Sequence, residues 1–334
     1  MDSGCMQSLE QPSARFLLSG ASGLLGTAVR NGLLHSGAEV LQLVRRPPLG
    51  PREVQWFPER ADAVPAASGL EAGRLEGLAA AIHLSGANVA AHRWTPAYRR
   101  EMWRSRVEST RALCAMLRTL ACPPRVLLVA SATGIYGDRG DEVLDECSPP
   151  GAGFLADLCR EWEEAAAAAR EAGIRVVHLR FGVVLAREGG ALGKMLPAFR
   201  LGLGGRMGSG RQWMSWIALD DAVGAMRFLL GDEGLAGAVN LCAPEPVRNA
   251  EFTRSLAARL GRKAVLRVPE FALRMALGAM ADEALLASAR VVPKRLIEAG
   301  FRFKQPTIET ALAALWSPGR EQDSGSGQPG TAAK

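Results

Sequence analysis

The chain has 334 residues, 48% hydrophobic and 22% charged, enough for one large or two modest domains with a full core. Its net charge of +6 raises nucleic acid as a partner, but the arginines are scattered in runs no longer than two and aromatics make up only 6%, which argues against a binding footprint. No apolar run approaches the roughly 18 residues of a membrane span, and the polar start gives no expectation of a signal peptide.

Residues 1–13 are polar and read as a disordered start. The apolar run Phe16-Leu17-Leu18 then leads directly into Gly20-Ala21-Ser22-Gly23-Leu24-Leu25-Gly26, which opens an amphipathic helix ending near Gly37. Strand, glycine turn and helix start, in that order, suit a dinucleotide pyrophosphate. Small residues let the backbone approach the phosphates, and the first helical N–H groups face their charge. The spacing is G-x-x-G-x-x-G, one residue off the G-x-G-x-x-G form, and the flanking elements carry the argument.

The next strand, Glu39–Val44, ends on Arg45-Arg46 where an NAD site would carry a carboxylate for the ribose hydroxyls. Guanidinium groups suit a 2′-phosphate, so the expected cofactor is NADP(H). Short apolar runs at 15–19, 39–44, 80–84, 125–130 and 175–179 mark the strands, with helical patterns at 96–120 and 154–172 between the later ones. Alternating strands and helices imply a doubly wound parallel sheet of Rossmann type, with its ligand at the carboxyl ends of the strands. Those ends carry Gly20, Arg45, Ser85-Gly86-Ala87-Asn88, Ser131-Ala132-Thr133 and Arg180-Phe181-Gly182.

From Gly189 the texture changes. A glycine-dense stretch at 202–210 precedes Arg211-Gln212-Trp213-Met214-Ser215-Trp216 and reads as a binding loop or, alternatively, as a packed connection. Helices are expected at 219–230 with Asp220-Asp221 in the first turn, at 249–260 with Asn249 as N-cap, at 269–290 and at 307–316, with a short strand at Val239-Asn240-Leu241. The organisation read from these signals is a nucleotide-binding domain over 14–240, with 187–216 contributing to the substrate side. A smaller α/β substrate-side domain follows over 241–316, then a disordered tail over 317–334 rich in Gly, Ser, Pro and Gln. The six cysteines have no paired spacing and the four histidines no metal-ligand spacing, so a reduced cytoplasmic protein without a metal is expected.

Several stretches together resemble the atypical or extended short-chain dehydrogenase/reductases, in an epimerase-like branch with a distinctive C-terminal domain. They include His83-Leu84-Ser85-Gly86-Ala87-Asn88, Arg93-Trp94, the run from Ser105 to Thr110, Tyr136-Gly137, Gly182-Val183-Val184-Leu185, the run from Phe199 to Gly205, and Val292-Pro293-Lys294-Arg295-Leu296 through Gly300-Phe301. The resemblance covers 17–315 and implies NAD(P)-dependent epimerase or dehydratase chemistry, with nucleotide sugars as the associated substrates. It also implies that Gly20 to Gly26 hold the pyrophosphate and that Arg45 and Arg46 meet the adenosine ribose phosphate. Leu84 and Ser85 would line the strand end, Glu101 and Arg106 would point at the same site from one helix, and Val184 would sit by the nicotinamide.

The chain departs from that family in its chemistry. A tyrosine made acidic by lysine in Tyr-x-x-x-Lys normally passes the proton. Here the only tyrosines, Tyr98 and Tyr136, are followed four residues later by Met102 and Gly140. Phe154 and Leu158 stand at the expected helix position, and alignment on Tyr136-Gly137 puts Ala132 where the strand-end hydroxyl belongs. Two readings stay open. In one, an NADP(H)-dependent oxidoreductase or epimerase acts on an unknown small molecule through Tyr136, Ser131 or Thr133, helped by Asp138, Arg139 or Arg211. In the other, the protein is a non-catalytic NADP(H) sensor. Neither reading involves nucleic acid or membrane, and the oligomeric state is open.

Overall fold

The computed structural model describes residues 14–58 and 73–317. The expected disorder at 1–13 lies outside them, as does all but Ser317 of the expected tail. Strands β1 (Arg15–Ser19), β2 (Glu39–Val44), β3 (Glu53–Gln55), β4 (Ala80–His83) and β5 (Val126–Ala132) join the strands Arg175–Phe181 and Gly237–Leu241 in one sheet. Its order is Gly237–Leu241, Arg175–Phe181, β5, β4, β1, β2, β3, and every pairing is parallel. The order reverses between β1 and β4, so the switch point falls at the glycine turn after β1.

A parallel sheet covered on both faces needs strands that are apolar on both sides. Val126-Leu127-Leu128-Val129 and Ala80-Ala81-Ile82 meet that need, each no more than 1% exposed. Helix α1 (Leu24–His35) buries Val29 and Leu33 against this core and stops at Gly37, whose φ of +83° lets the chain turn into β2. The single helix expected over 96–120 is three pieces: Pro96–Trp103, a π-helical turn Arg104–Glu108, and Ser109–Arg118. The pattern at 154–172 likewise splits into Phe154–Glu164 and Ala167–Glu171.

A second apolar cluster forms beyond the sheet. Leu192, Leu196 and Phe199 from the helix Gly190–Arg200 pack with Trp216, with Phe252 and Leu256, and with Ile308 and Leu312. The helix Asn249–Arg259 starts one residue earlier than a cap at Asn249 requires, with Arg248 at the cap position. Asn249 is its first residue, and its Oδ1 accepts from the Met207 N–H at 2.9 Å. The expected helix at 269–290 is broken at Gly278, whose φ of +62° ends Glu270–Leu277; a π-helical turn at Ala281–Leu286 and the strand Arg290–Val291 follow.

The glycine-dense stretch is packed. Gly205–Met207 pairs in parallel with Leu266–Val268, and the Gln212 amide donates to the Met207 and Leu285 carbonyls. Asp220 and Asp221 do stand in the first turn of the helix Leu219–Gly231. Among the described residues Cys114, Cys159 and Cys242 are buried thiols and Cys147 an exposed one. No described helix is long and apolar enough to cross a membrane.

Candidate functional site

The glycine turn is closely packed. Gly20 has φ +72°, and a Cβ there would lie 2.7 Å from the Leu84 carbonyl carbon. A Cβ on Gly26 would fall 2.1 Å from the Gly20 carbonyl oxygen, so the first turn of α1 rests directly on the loop. No side chain caps α1 and no acidic residue occupies its first turn, which leaves its leading N–H groups and positive dipole end available to an anion. Leu84 and Ser85, both half-buried, follow β4 beside this loop, and the Leu84 N–H donates to the Ser19 carbonyl at 3.2 Å.

Val184 reaches the same place from the strand Val183–Leu185. A Cβ on Gly190 would meet the Leu24 side chain at 3.3 Å and the Val184 carbonyl at 3.5 Å. The structure thus brings Gly20 to Gly26, Leu84, Ser85 and Val184 to one cleft at the strand ends. Below it, buried His83 accepts from or donates to Ser19 Oγ at 2.6 Å and Ser109 Oγ at 3.2 Å. Burial lowers the His83 pKa to about 3, so the ring is neutral and serves the packing under the cleft.

The other sequence-derived positions are less uniform. Arg45 is exposed and makes no hydrogen bond or ion pair among the described residues. Arg46 is exposed too, but it is held by Glu53, whose carboxylate oxygens lie 2.6 and 2.7 Å from its two terminal nitrogens. Glu101 is exposed, whereas Arg106 is only 9% exposed. Arg106 donates to the Ala87 carbonyl at 2.9 Å and the Met102 carbonyl at 3.2 Å, and its guanidinium lies 5.1 Å from the Trp162 ring centre. Its visible role is to brace the loop after Ser85; a Cβ on Gly86 would touch it at 3.1 Å.

The three hydroxyl groups expected to do chemistry are mostly committed elsewhere. Ser131, 3% exposed, donates to Glu163 Oε1 at 2.7 Å. Tyr136 is fully buried; its hydroxyl donates to Asn240 Oδ1 at 2.8 Å and accepts from Arg180 Nη1 at 2.9 Å. Burial pushes the Tyr136 pKa up to about 12 despite that guanidinium, so it is a weaker acid than a free tyrosine. This geometry gives Tyr136 a bridging role within the packing, because both hydrogen-bonding directions of its hydroxyl are used internally. Thr133 alone stays half-exposed, with Oγ1 3.3 Å from the Phe181 carbonyl.

The partners in this network were not anticipated. Glu163 forms a two-pronged pair with Arg180, and Asn240 extends the network by donating to the Val292 carbonyl at 3.0 Å. A glutamate in a helix-former run and an arginine inside an apolar strand were the available signals, since buried charges occur in pairs. Phe154 and Leu158 do sit on the helix Phe154–Glu164. Ala132 ends β5 with no side-chain hydroxyl.

The fold is that of a doubly wound α/β protein, with a closely packed glycine turn and an uncapped helix start at the sheet's switch point. The sequence model of the NAD dependent epimerase/dehydratase family matches residues 16–242, and the chain belongs to that family. Residues 268–315 match a further domain of unknown function, DUF1731. The chain is 42% identical over 303 residues to the epimerase family protein Mb2239 of Mycobacterium bovis, covering 90% of this chain and 98% of that one. It is 33% identical to the human epimerase family protein SDR39U1, solved with NADPH, with a TM-score of 0.82 over 90% of this chain and 98% of that one. A nucleoside-diphosphate sugar epimerase from Corynebacterium glutamicum is 34% identical, with a TM-score of 0.71 over 90% of this chain and 57% of the other.

Proposed function

We propose that the cleft binds NADP(H) and that the protein is an epimerase-like oxidoreductase for a small molecule. The observation that carries this reading is the glycine turn, where Gly20 and Gly26 leave no room for a Cβ and α1 starts uncapped against the cleft. That shape suits the pyrophosphate of a dinucleotide. Unpaired Arg45 at the end of β2, where NAD sites carry an acid, favours the 2′-phosphate form, and the human relative was solved with NADPH. When bound, the cofactor supplies hydride exchange at its nicotinamide. The chain's own part is to hold the pyrophosphate at Gly20 to Gly26, to line the cleft with Leu84, Ser85 and Val184, and to present Thr133.

Titration of NADPH and NADH against tryptophan fluorescence tests the cofactor. NADPH is expected to bind more tightly, and the preference should fall in Arg45→Ala. Since Arg46 can be released from Glu53, the double variant with Arg46→Ala should lose the preference entirely. Equal affinities in the unaltered protein would overturn the assignment. A second reading, a non-catalytic NADP(H) sensor, is favoured by one observation: Ala132, Phe154 and Leu158 put no ionisable group where the family's dyad stands. Incubating NADPH-loaded protein with metabolite pools separates the two; consumption of NADPH supports the enzyme, and none on any pool supports the sensor.

A further inference from the structure

Strand β2 ends at Val44 and β3, the edge strand of the sheet, begins at Glu53. The two strands are parallel, and their register sets Glu53 beside Gln42, two residues short of the end of β2. Arg46 lies beyond that end, yet its two terminal nitrogens meet the Glu53 carboxylate oxygens at 2.7 and 2.6 Å. The ion pair therefore draws Arg46 back along the sheet edge from the strand ends, where a ligand of this fold sits. Glu53 is well fixed for the task. Its carboxylate also accepts the Leu49 N–H at 2.7 Å, its own N–H donates to the Gly50 carbonyl at 3.1 Å, and its carbonyl accepts from Arg74 Nη2 at 3.1 Å. The Glu53 side chain is 15% exposed and that of Arg46 49%. Neighbouring Arg45 has no such partner among the described residues.

A guanidinium grips a phosphate best through two N–H groups on one edge. In Arg46 the edge between the two terminal nitrogens is taken by Glu53, and Nη1 also donates to the Pro47 carbonyl at 3.0 Å. The rival charge is present at neutral pH. The Arg46 hydrogen bonds, and after them the Leu49 N–H, hold the Glu53 carboxyl below the ordinary carboxylate range. A 2′-phosphate arriving at the end of β2 must displace this carboxylate or bind a guanidinium whose charge is already cancelled. Either way the carboxylate weakens the grip.

We infer that Glu53 sets the cofactor specificity of the cleft: it competes with the cofactor's 2′-phosphate for Arg46 and lowers the discrimination between NADPH and NADH. The inference rests on the proposed NADP(H) cleft and adds to it a residue that tunes it. Arg45 supplies the standing preference for NADPH, and Arg46 adds to it only as far as Glu53 lets go. NADH lacks the competing phosphate, so the exchange does not touch it.

The test titrates NADPH and NADH, at one fixed ionic strength, into the unaltered full chain, Glu53→Gln, Arg46→Ala and the double variant, following tryptophan fluorescence. Glu53→Gln should tighten NADPH roughly threefold to fivefold, the scale of one exposed ion pair, and leave NADH unchanged. In the Arg46→Ala background the same substitution should give little of that gain, because the guanidinium it frees is absent. A thermal melt reports that each variant is folded. No gain for NADPH in folded Glu53→Gln would overturn the inference. A loss would overturn it too, by making Glu53 a support that orients Arg46. So would an equal change for NADH, which would mark an effect of loop structure, or a full gain without Arg46, which would mark direct repulsion of the phosphate. Each of these leaves the NADP(H) reading standing. NADPH and NADH affinities that are equal in the unaltered protein and stay equal in Glu53→Gln would sink that reading together with the inference.

Discussion

Arg180 and Glu163 form a two-pronged ion pair, Nε to Oε1 at 2.8 Å and Nη2 to Oε2 at 2.9 Å, with side chains only 9% and 14% exposed. Arg180 lies in the sheet and Glu163 on the helix Phe154–Glu164, so the pair bolts helix to strand end. Through Ser131 and Tyr136 it also fixes the backbone around Ala132 and Thr133 at the cleft.

Breaking such a pair leaves a buried charge unmatched. Glu163→Ala should destabilise the protein by about 3–5 kcal/mol, in line with other buried pairs that lose one partner. Urea unfolding measures the cost. A loss close to zero would mean that Arg180 finds water or another acceptor in the variant.

The same pair gives stability a pH dependence of known sign. Burial alone would raise the Glu163 pKa, but the Arg180 hydrogen bonds and charge outweigh it and hold the carboxyl below its ordinary value. A depressed folded-state pKa contributes stability that is complete above the unfolded value, about 4.3, and is lost as pH falls through the folded one. His83 acts at higher pH. Its folded pKa is lowered by burial to about 3. Stability therefore falls as pH drops from about 6.5, where unfolded histidine begins to take a proton, toward that value. Urea midpoints measured between neutral and acid pH should decline in both windows, and His83→Asn should make the upper decline shallower, with buried His178, whose pKa is likewise lowered to about 4, carrying the rest. A flat profile through the upper window would show that His83 and His178 take up protons as readily in the folded protein as in the unfolded one.

Much of the sheet was legible because parallel strands buried on both faces read as short apolar runs: β1 and β2 matched the sequence reading residue for residue. The three-residue β3 was missed, since Glu53-Val54-Gln55 offers one apolar side chain and pairs only along one edge. The helix expected across 269–290 failed at Gly278, where a glycine at positive φ ends the helix instead of being tolerated within it. The closely packed turn at Gly20 to Gly26 was legible because backbone approach demands glycine at fixed places. Tyr136 was harder to place, because a sequence carries the hydroxyl but not its partners. Arg180 and Asn240 come from strands 44 and 104 residues further along, and only the folded sheet sets them on either side of it.

Tyr136→Phe separates the two roles that this hydroxyl could play. Removing it leaves Asn240 Oδ1 and Arg180 Nη1 each short of a partner in a buried place. A stability loss of about 1–3 kcal/mol is expected, with NADPH affinity unchanged. Any turnover found for the unaltered protein should survive in the variant. Loss of turnover without loss of stability would return Tyr136 to the chemistry.

Gly26→Ala probes the cradle itself. The new methyl would sit 2.1 Å from the Gly20 carbonyl oxygen, a distance no Cβ can keep, so α1 or the turn must shift. Phosphate recognition by backbone N–H groups depends on their position, so NADPH binding should be lost even if the protein stays folded. Fluorescence titration together with a thermal melt distinguishes the two effects. A folded variant that binds NADPH normally would remove the glycine turn from the cofactor site.

The second apolar cluster depends on Asp221. Its carboxylate, in a residue only 2% exposed, accepts from the Lys304 and Gln305 N–H groups, each at 2.8 Å. It stands in the first turn of the helix Leu219–Gly231, where negative charge also meets the helix dipole. Hydrogen bonds to a charged acceptor contribute about 1.5–3 kcal/mol each, and two are lost together in Asp221→Ala, so a cost of roughly 3–5 kcal/mol is expected. The segment it holds leads into the helix Ile308–Leu315, which packs in the second cluster. Hydrogen exchange in Asp221→Ala should therefore rise first over 304–315, ahead of β1, β4 and β5. Uniform acceleration across the chain would show instead that the cluster and the sheet unfold as one unit.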